Sequence, residues 1–160
     1  MPALIRSARL SDCDAIARLT NQLGYEVDPA GLYARLARTL ERPGQQLLVA
    51  ELDAGVVGWV HVTTWEFLEA DGFAVIAGLV VDSNHRRAGI GRLLMEHAER
   101  WAHETGHSVL RLWSSTARTA AHQFYESLGY SRVKTQYSFA KALRPSAHDM
   151  LQALIPKVRE

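Results

Sequence analysis

Val80-Val81-Asp82-Ser83-Asn84-His85-Arg86-Arg87-Ala88-Gly89-Ile90-Gly91-Arg92-Leu93-Leu94 is the stretch that decides how this chain is read. It opens as a β-branched apolar run and passes through a polar loop with two arginines and two closely spaced glycines. It ends on helical spacing, with Ile90, Leu93, Leu94, Ala98, Trp101 and Ala102 on one stripe. Strand, glycine-rich turn and helix together make an anion seat. The first N–H groups of a helix have no internal acceptor, and the helix dipole favours negative charge beside them. Glycine lets the main chain approach a ligand with no Cβ in the way. Arg86, Arg87 and Arg92 bring positive charge to the same end. The expectation is a phosphate or pyrophosphate seat over residues 86–92. A dinucleotide fingerprint is excluded, because position 94 is Leu rather than a third glycine and no acidic residue lies in Val109 to Trp113. The Gly-Lys-Ser/Thr of a nucleotide-hydrolase loop is absent as well.

Working outward, Leu4 to Leu10 reads as a strand, and Ser11 and Asp12 as helix caps. Ile16, Leu19 and Leu23 stripe a first helix. A second starts at Pro29, a residue suited to a first helical turn, and carries Leu32, Leu36 and Leu40. Gln46 to Leu52 and Val56 to Thr64 flank Asp53-Ala54-Gly55 as a hairpin. Phe73 to Val81 is almost continuously apolar, as a central strand is. A long helix runs from Gly89 to about Thr105, then a strand over Ser108 to Trp113, then a helix from Thr119 to Leu128 closed by Gly129. Tyr130 to Val133 and Gln136 to Lys141 read as a closing strand pair. The order β α α β β β α β α β β predicts an α/β fold with one mixed, mainly antiparallel, seven-stranded sheet flanked by helices. Phe73 to Trp113 should be a parallel crossover unit. We expect a domain over residues 1–143 and a tail over 144–160, where Met150, Leu151, Leu154 and Ile155 have roughly helical spacing.

The bulk numbers narrow the classes. A chain of 160 residues, 48% apolar and 22% charged, is a soluble-domain composition. A net charge of +1 makes no case for nucleic acid or an anionic membrane as partner. No apolar run reaches the roughly 20 residues of a spanning helix. Arg6 and Arg9 interrupt what a signal peptide would need. One cysteine, Cys13, forms no internal disulfide, and the expected compartment is the cytoplasm. The seven histidines show no metal-ligand spacing, so no metal is expected.

Arg86-x-x-Gly89-x-Gly91 after a Val-Val strand resembles the coenzyme A loop of the GNAT superfamily of acyl-CoA N-acyltransferases. Ala121-His122-Gln123-Phe124-Tyr125-Glu126-Ser127-Leu128-Gly129-Tyr130 resembles the same family's fourth-helix signature, Ala-x-x-Phe-Tyr-x-x-x-Gly-Phe/Tyr. The element order matches over residues 4–141. The resemblance implies acetyl-CoA as co-substrate, bound in a gap between the strands ending at Val81 and Trp113. The backbone of Leu79, Val80 and Val81 would pair with the pantetheine arm. N–H groups from Arg87 through Ala88, Gly89, Ile90 and Gly91 to Arg92 would hold the pyrophosphate, with Arg86 beside them. The N–H of Val80 would meet the thioester oxygen, and Tyr125 would be the general acid.

Two departures stand out. Many relatives carry a glutamate base in the fourth strand, whereas Phe73 to Val81 has no ionisable residue. The remaining candidates are Glu66, ranked first, then His61, Glu69 and Asp71. Many relatives also have Asn where Arg118 stands here, so that contact is not carried over. Tyr25, Glu26, Asp28, Tyr33, Trp65, Glu66 and Tyr137 would line the acceptor cleft, and aromatics with carboxylates suit a cationic amine. Ala-Gly-Leu-Val-Val-Asp resembles bacterial small-molecule acetyltransferases, aminoglycoside-modifying ones included. The expected acceptor is a polyamine, an amino sugar or an amino-acid-like amine, with a protein amine and a homodimer left open. The competing reading is a non-catalytic acyl-CoA-binding sensor or assembly domain.

Overall fold

A computed structural model describes residues 3–24, 26–53, 55–147 and 149–150. The chain divides into two compact units, Met1–His122 and Gln123–Glu160. The first unit is built on a sheet of strands β1 (Leu4–Ser7), β2 (Gln45–Leu52), β3 (Gly55–Trp65), β4 (Phe73–Val81) and β5 (Leu110–Arg111), in that spatial order. β1 to β4 are antiparallel neighbours, and β5 joins β4 in parallel. The helices are α1 (Cys13–Asn21), α2 (Pro29–Glu41), α3 (Ile90–Glu104) and α4 (Thr119–Ser127), the last running across the division between the units.

Local chemistry sets the helix ends. The Asp28 carboxylate accepts from the Gly31 N–H at 2.8 Å and caps α2, with Pro29 in its first turn. A 3-10 turn over Leu10–Asp12 leads into α1. α1 buries Ile16 and Leu19 against Leu47, Val49, Trp59 and Val80. α3 turns Ile90, Leu94, Met95 and Ala98 inward, each large side chain contributing about 1.5–3 kcal/mol by leaving water.

Five strands stand where seven are expected. Residues 130–142 hold no strand in the structure. Tyr137 and Phe139 have the right alternation, but they are 91% and 93% exposed, so no burial rewards pairing. Arg132 instead ties this segment back to α4, donating Nε–H to Glu126 Oε1 at 2.6 Å. β5 is also shorter than expected, for the reason given below. Of the expected tail helix, Leu151, Leu154 and Ile155 lie outside the described residues, and Met150 is exposed.

Among the described residues of the first unit, two carboxylates are buried, Asp12 and Asp82. Asp12 accepts from two Arg6 nitrogens at 2.8 and 2.9 Å and from the Arg9 N–H at 2.7 Å. These bonds, with the Arg6 pair first, hold its pKa below the ordinary carboxylate value. Asp82 is lowered mainly by the Asn84 N–H and then by Arg18. A folded-state pKa below the unfolded one gives stability that is complete above the ordinary carboxylate range. That stability is lost as pH falls through the lower, folded value. The urea midpoint should therefore drop steeply below about pH 4, and the drop should be shallower in Asp12→Asn and in Asp82→Asn. An equal pH slope in the variants would remove these two groups as its cause.

Candidate active site

The site begins with a fault in the ladder between β3 and β4. The register pairs His61 with Gly78 but Val62 with Ile76, leaving Ala77 as one extra residue on β4. That residue shifts the hydrogen-bonding phase of the strand. Before the bulge, the Ala74 N–H donates to Val109 O on the β5 side at 3.0 Å. After it, the Asp82 N–H donates to Val57 O on the β3 side at 2.8 Å. Backbone groups alternate sides along a strand. Beyond the bulge, then, Gly78, Val80 and Asp82 address β3, and Leu79 and Val81 address the β5 side. β5 pairs only with Ala74 and Val75, so among the described residues β4 has no neighbour on that side past the bulge. This is why β5 is short: the two strands part where the phase changes.

Val80 stands opposite Trp59 in the β3 ladder, and its side chain is core, 3% exposed. The unpaired backbone belongs to Leu79 and Val81. Gly78 has its own requirement. A Cβ there would sit 2.7 Å from Trp59 Cη2 and Cζ3, so the indole fills the place of a side chain.

At its C-terminal end β4 runs into the loop. The Asp82 carboxylate accepts from the Asn84 N–H at 3.0 Å and from Arg18 Nη1 at 2.6 Å, while Arg18 Nη2 donates to Val56 O. The Ser83 N–H donates to Gln22 Oε1 at 2.9 Å. The mouth of the loop is thus fastened to α1 and to the residue after it. Arg87 has φ +63°, the sole non-glycine with positive φ among the described residues. Gly89 follows at φ +80° and is the N-cap of α3; its carbonyl accepts from the Leu93 N–H. A glycine N-cap supplies no side-chain oxygen, so the Ile90, Gly91 and Arg92 N–H groups form an uncapped helix start with Arg86 and Arg87 exposed beside it. A pyrophosphate fits these donors in charge and in number.

The chain from Cys13 to Tyr130 (residues 13–130) matches the model of the acetyltransferase (GNAT) family. The protein belongs to the GNAT family. It is 32% identical over 143 residues to an uncharacterised N-acetyltransferase of Chlorobaculum tepidum, covering 86% of this chain and 83% of that one. Over 94 residues it is 33% identical to the N-acetylaspartate synthetase of Xenopus tropicalis, covering 59% of this chain and 34% of the longer relative. Its fold matches that of AAC(6')-Iy, solved in complex with the bisubstrate analogue CoA-S-monomethyl-acetylneamine, at a TM-score of 0.79 and 16% identity over 89% of this chain and 99% of that one. The chain is accordingly an acyl-CoA N-acetyltransferase, and the bulged β4 and the glycine loop lie within the matched residues of this GNAT domain.

The candidate bases lie apart. Glu66 is exposed, in the wall of a cleft of about 630 Å³ with Asp71, Phe73, His107 and Arg111. That cleft is at the start of β4, about 13 Å of strand from the bulge. Glu69 and Asp71 are exposed on the same connection. His61 is half-buried directly across from Gly78 and lines a second cavity, of about 340 Å³, formed by α1, α2 and β3. Of the acceptor-cleft residues expected from the sequence, Glu26 lines this cavity, Tyr33 is half-exposed on α2, and Tyr25 lies outside the described residues. Thr20, Arg35 and Trp59 share its wall; reading the sequence did not single them out, because they lie on three different elements. Trp65 joins Phe67, Phe73 and Trp113 in an aromatic cluster instead. Arg118 is exposed, and its N–H closes a turn onto Ser115 O. Within the second unit, Tyr125 packs edge-on between Phe124 and Tyr130, at centroid distances of 5.2 and 6.0 Å. Cys13 is buried, and burial pushes its thiol up, away from reactivity. Among the described residues no helix is long and apolar enough to cross a membrane, and no cluster could hold a metal.

Proposed function

We propose that the protein transfers the acetyl group of acetyl-CoA to the primary amine of a small acceptor. The observation that carries this reading is the phase shift at Ala77, which frees the Leu79 and Val81 backbone on an edge leading straight into the Gly89 loop. The pantetheine amides add to that edge as a short extra strand. The pyrophosphate takes the N–H groups between Arg87 and Arg92, with Arg86 nearby. The Leu79 N–H meets the thioester oxygen as charge develops on it. Tyr125 gives its proton to the departing thiolate.

The acceptor enters the cavity between α1, α2 and β3. Glu26 at its rim and the Trp59 indole in its wall suit a cation. Amino sugars, polyamines and amino-acid-like amines all satisfy this chemistry. Two relatives support an amine acceptor, one named for N-acetylaspartate and one solved with an acetylneamine analogue. The cytoplasm remains the proposed compartment, supported by the single, buried thiol.

Release of free thiol from acetyl-CoA, measured against aminoglycosides, polyamines, amino acids and short peptides, tests the reading. Turnover is expected with one class. Tight CoA binding with no turnover against any class would overturn acetyl transfer and favour a CoA-binding module.

A further inference from the structure

We propose that His61 is the general base of the transfer, held by Gln45 in the wall of the α1–α2 cavity and one strand over from the β4 bulge. The inference rests on the acetyl-transfer reading above and supplies the group that β4 itself lacks.

Three observations meet at this side chain. The first is position. His61 is opposite Gly78, a hydrogen-bonded pair whose Cα atoms are about 5.5 Å apart. The next residue along β4 is Leu79, whose N–H is proposed to face the thioester oxygen. The second is orientation. His61 Nε2 is 2.8 Å from Gln45 Oε1 on β2. A carboxamide oxygen only accepts, so Nε2 carries the proton and the ring's lone pair is at Nδ1. The third is the setting. The ring shares its cavity with the Trp59 indole and with Glu26, an aromatic and a carboxylate that suit a cationic amine beside it.

The groups that face His61 from the surrounding elements are Gln45 on β2, Gly78 on β4, Thr20 on α1, Arg35 on α2 and Glu26 between the helices. The one carboxylate and the one guanidinium among them are both exposed. Burial acts alone in the stated direction and lowers the imidazole pKa below its ordinary 6.5. The ring is therefore neutral, and able to accept a proton, at pH 7.

Protons and electron pairs balance in this step. The acceptor arrives as an ammonium, and one N–H proton passes to His61 Nδ1. The freed nitrogen lone pair forms the C–N bond at the acetyl carbonyl. The intermediate collapses with the C–S electron pair leaving on sulfur. The second nitrogen proton is lost as the amide forms, the thiolate takes one from Tyr125, and solvent restores both side chains. One ammonium and one thioester give one amide, one thiol and one proton.

The pH profile of kcat/KM tests the assignment, using the amine that the acceptor panel identifies. The wild type should show an acid limb below about pH 6.5. His61→Gln should lower kcat/KM at pH 7 by about 10²–10³-fold and remove that limb, while the Kd for acetyl-CoA stays within about twofold. Gln45→Glu is the second variant. It places a carboxylate against Nε2–H, stabilises the imidazolium, and should move the limb up by about one pH unit or more. A merely structural pair would leave the limb in place. Unchanged kcat/KM in His61→Gln would overturn the assignment and leave acetyl transfer standing. So would loss of the limb in Glu66→Gln together with its survival in His61→Gln. A wild-type protein that binds acetyl-CoA and acetylates nothing fails at the earlier reading, and this one falls with it.

Discussion

Tyr125→Phe should lower kcat about 100-fold and leave the Kd for acetyl-CoA within about twofold, if Tyr125 is the proposed general acid. General acid catalysis is typically worth 10²–10⁴-fold. The effect belongs at the low end of that range because the leaving group is a thiolate, whose conjugate acid has a pKa of about 8.5 and which departs readily without help. Phenylalanine keeps the ring that packs against Phe124 and Tyr130. Steady-state rates with saturating amine, paired with calorimetric titration of acetyl-CoA, separate the two parameters. Equal turnover in the variant would remove Tyr125 as the acid. A rise in Kd with kcat unchanged would make it a binding residue instead.

The second large effect is on binding. Gly91→Val should raise the Kd for acetyl-CoA about 10- to 100-fold, a loss of about 1.4–2.7 kcal/mol. That is the size of one hydrogen bond to a charged group. Position 91 is the second residue of α3, and a helical backbone accepts valine no less readily than glycine. The helix should therefore survive, while the added isopropyl group would crowd the proposed pyrophosphate seat. Gly89→Val is a poorer test. At φ +80° a β-branched residue is strained whatever the ligand does, so lost binding and lost structure would be confounded. A folded Gly91→Val protein with wild-type affinity would move the pyrophosphate away from this loop.

The elements of the first unit are largely legible in the chain because their signals are local. Asp28 before Pro29 announces the start of α2, and the glycine at 89 announces the turn into α3. The unbroken apolar run of Phe73 to Val81 announces a strand covered on both faces. Each depends on neighbours within a few residues, and the structure has each of them in place. The closing strands fail for the converse reason. Tyr137 and Phe139 carry the alternation of a strand, but a strand is stabilised by a partner and a covered face, and no local pattern supplies either.

The phase of β4 and the company of His61 belong to the folded chain. Ala77-Gly78 inside a β-branched run is a recognisable sign of a bulge or a close approach. Which residues it turns toward the open edge depends on the register against β3, and that register turns Leu79 and Val81 toward it. In the same way Gln45 meets His61, and Asp82 meets Arg18, across separations of 16 and 64 residues. The family, the glycine loop and the lack of a carboxylate on β4 could be read from the chain alone, because they are properties of residue identity and short-range spacing. The direction of a backbone N–H and the partner of a half-buried ring are set by strand pairing and helix packing, which bring distant residues together only when the chain has folded.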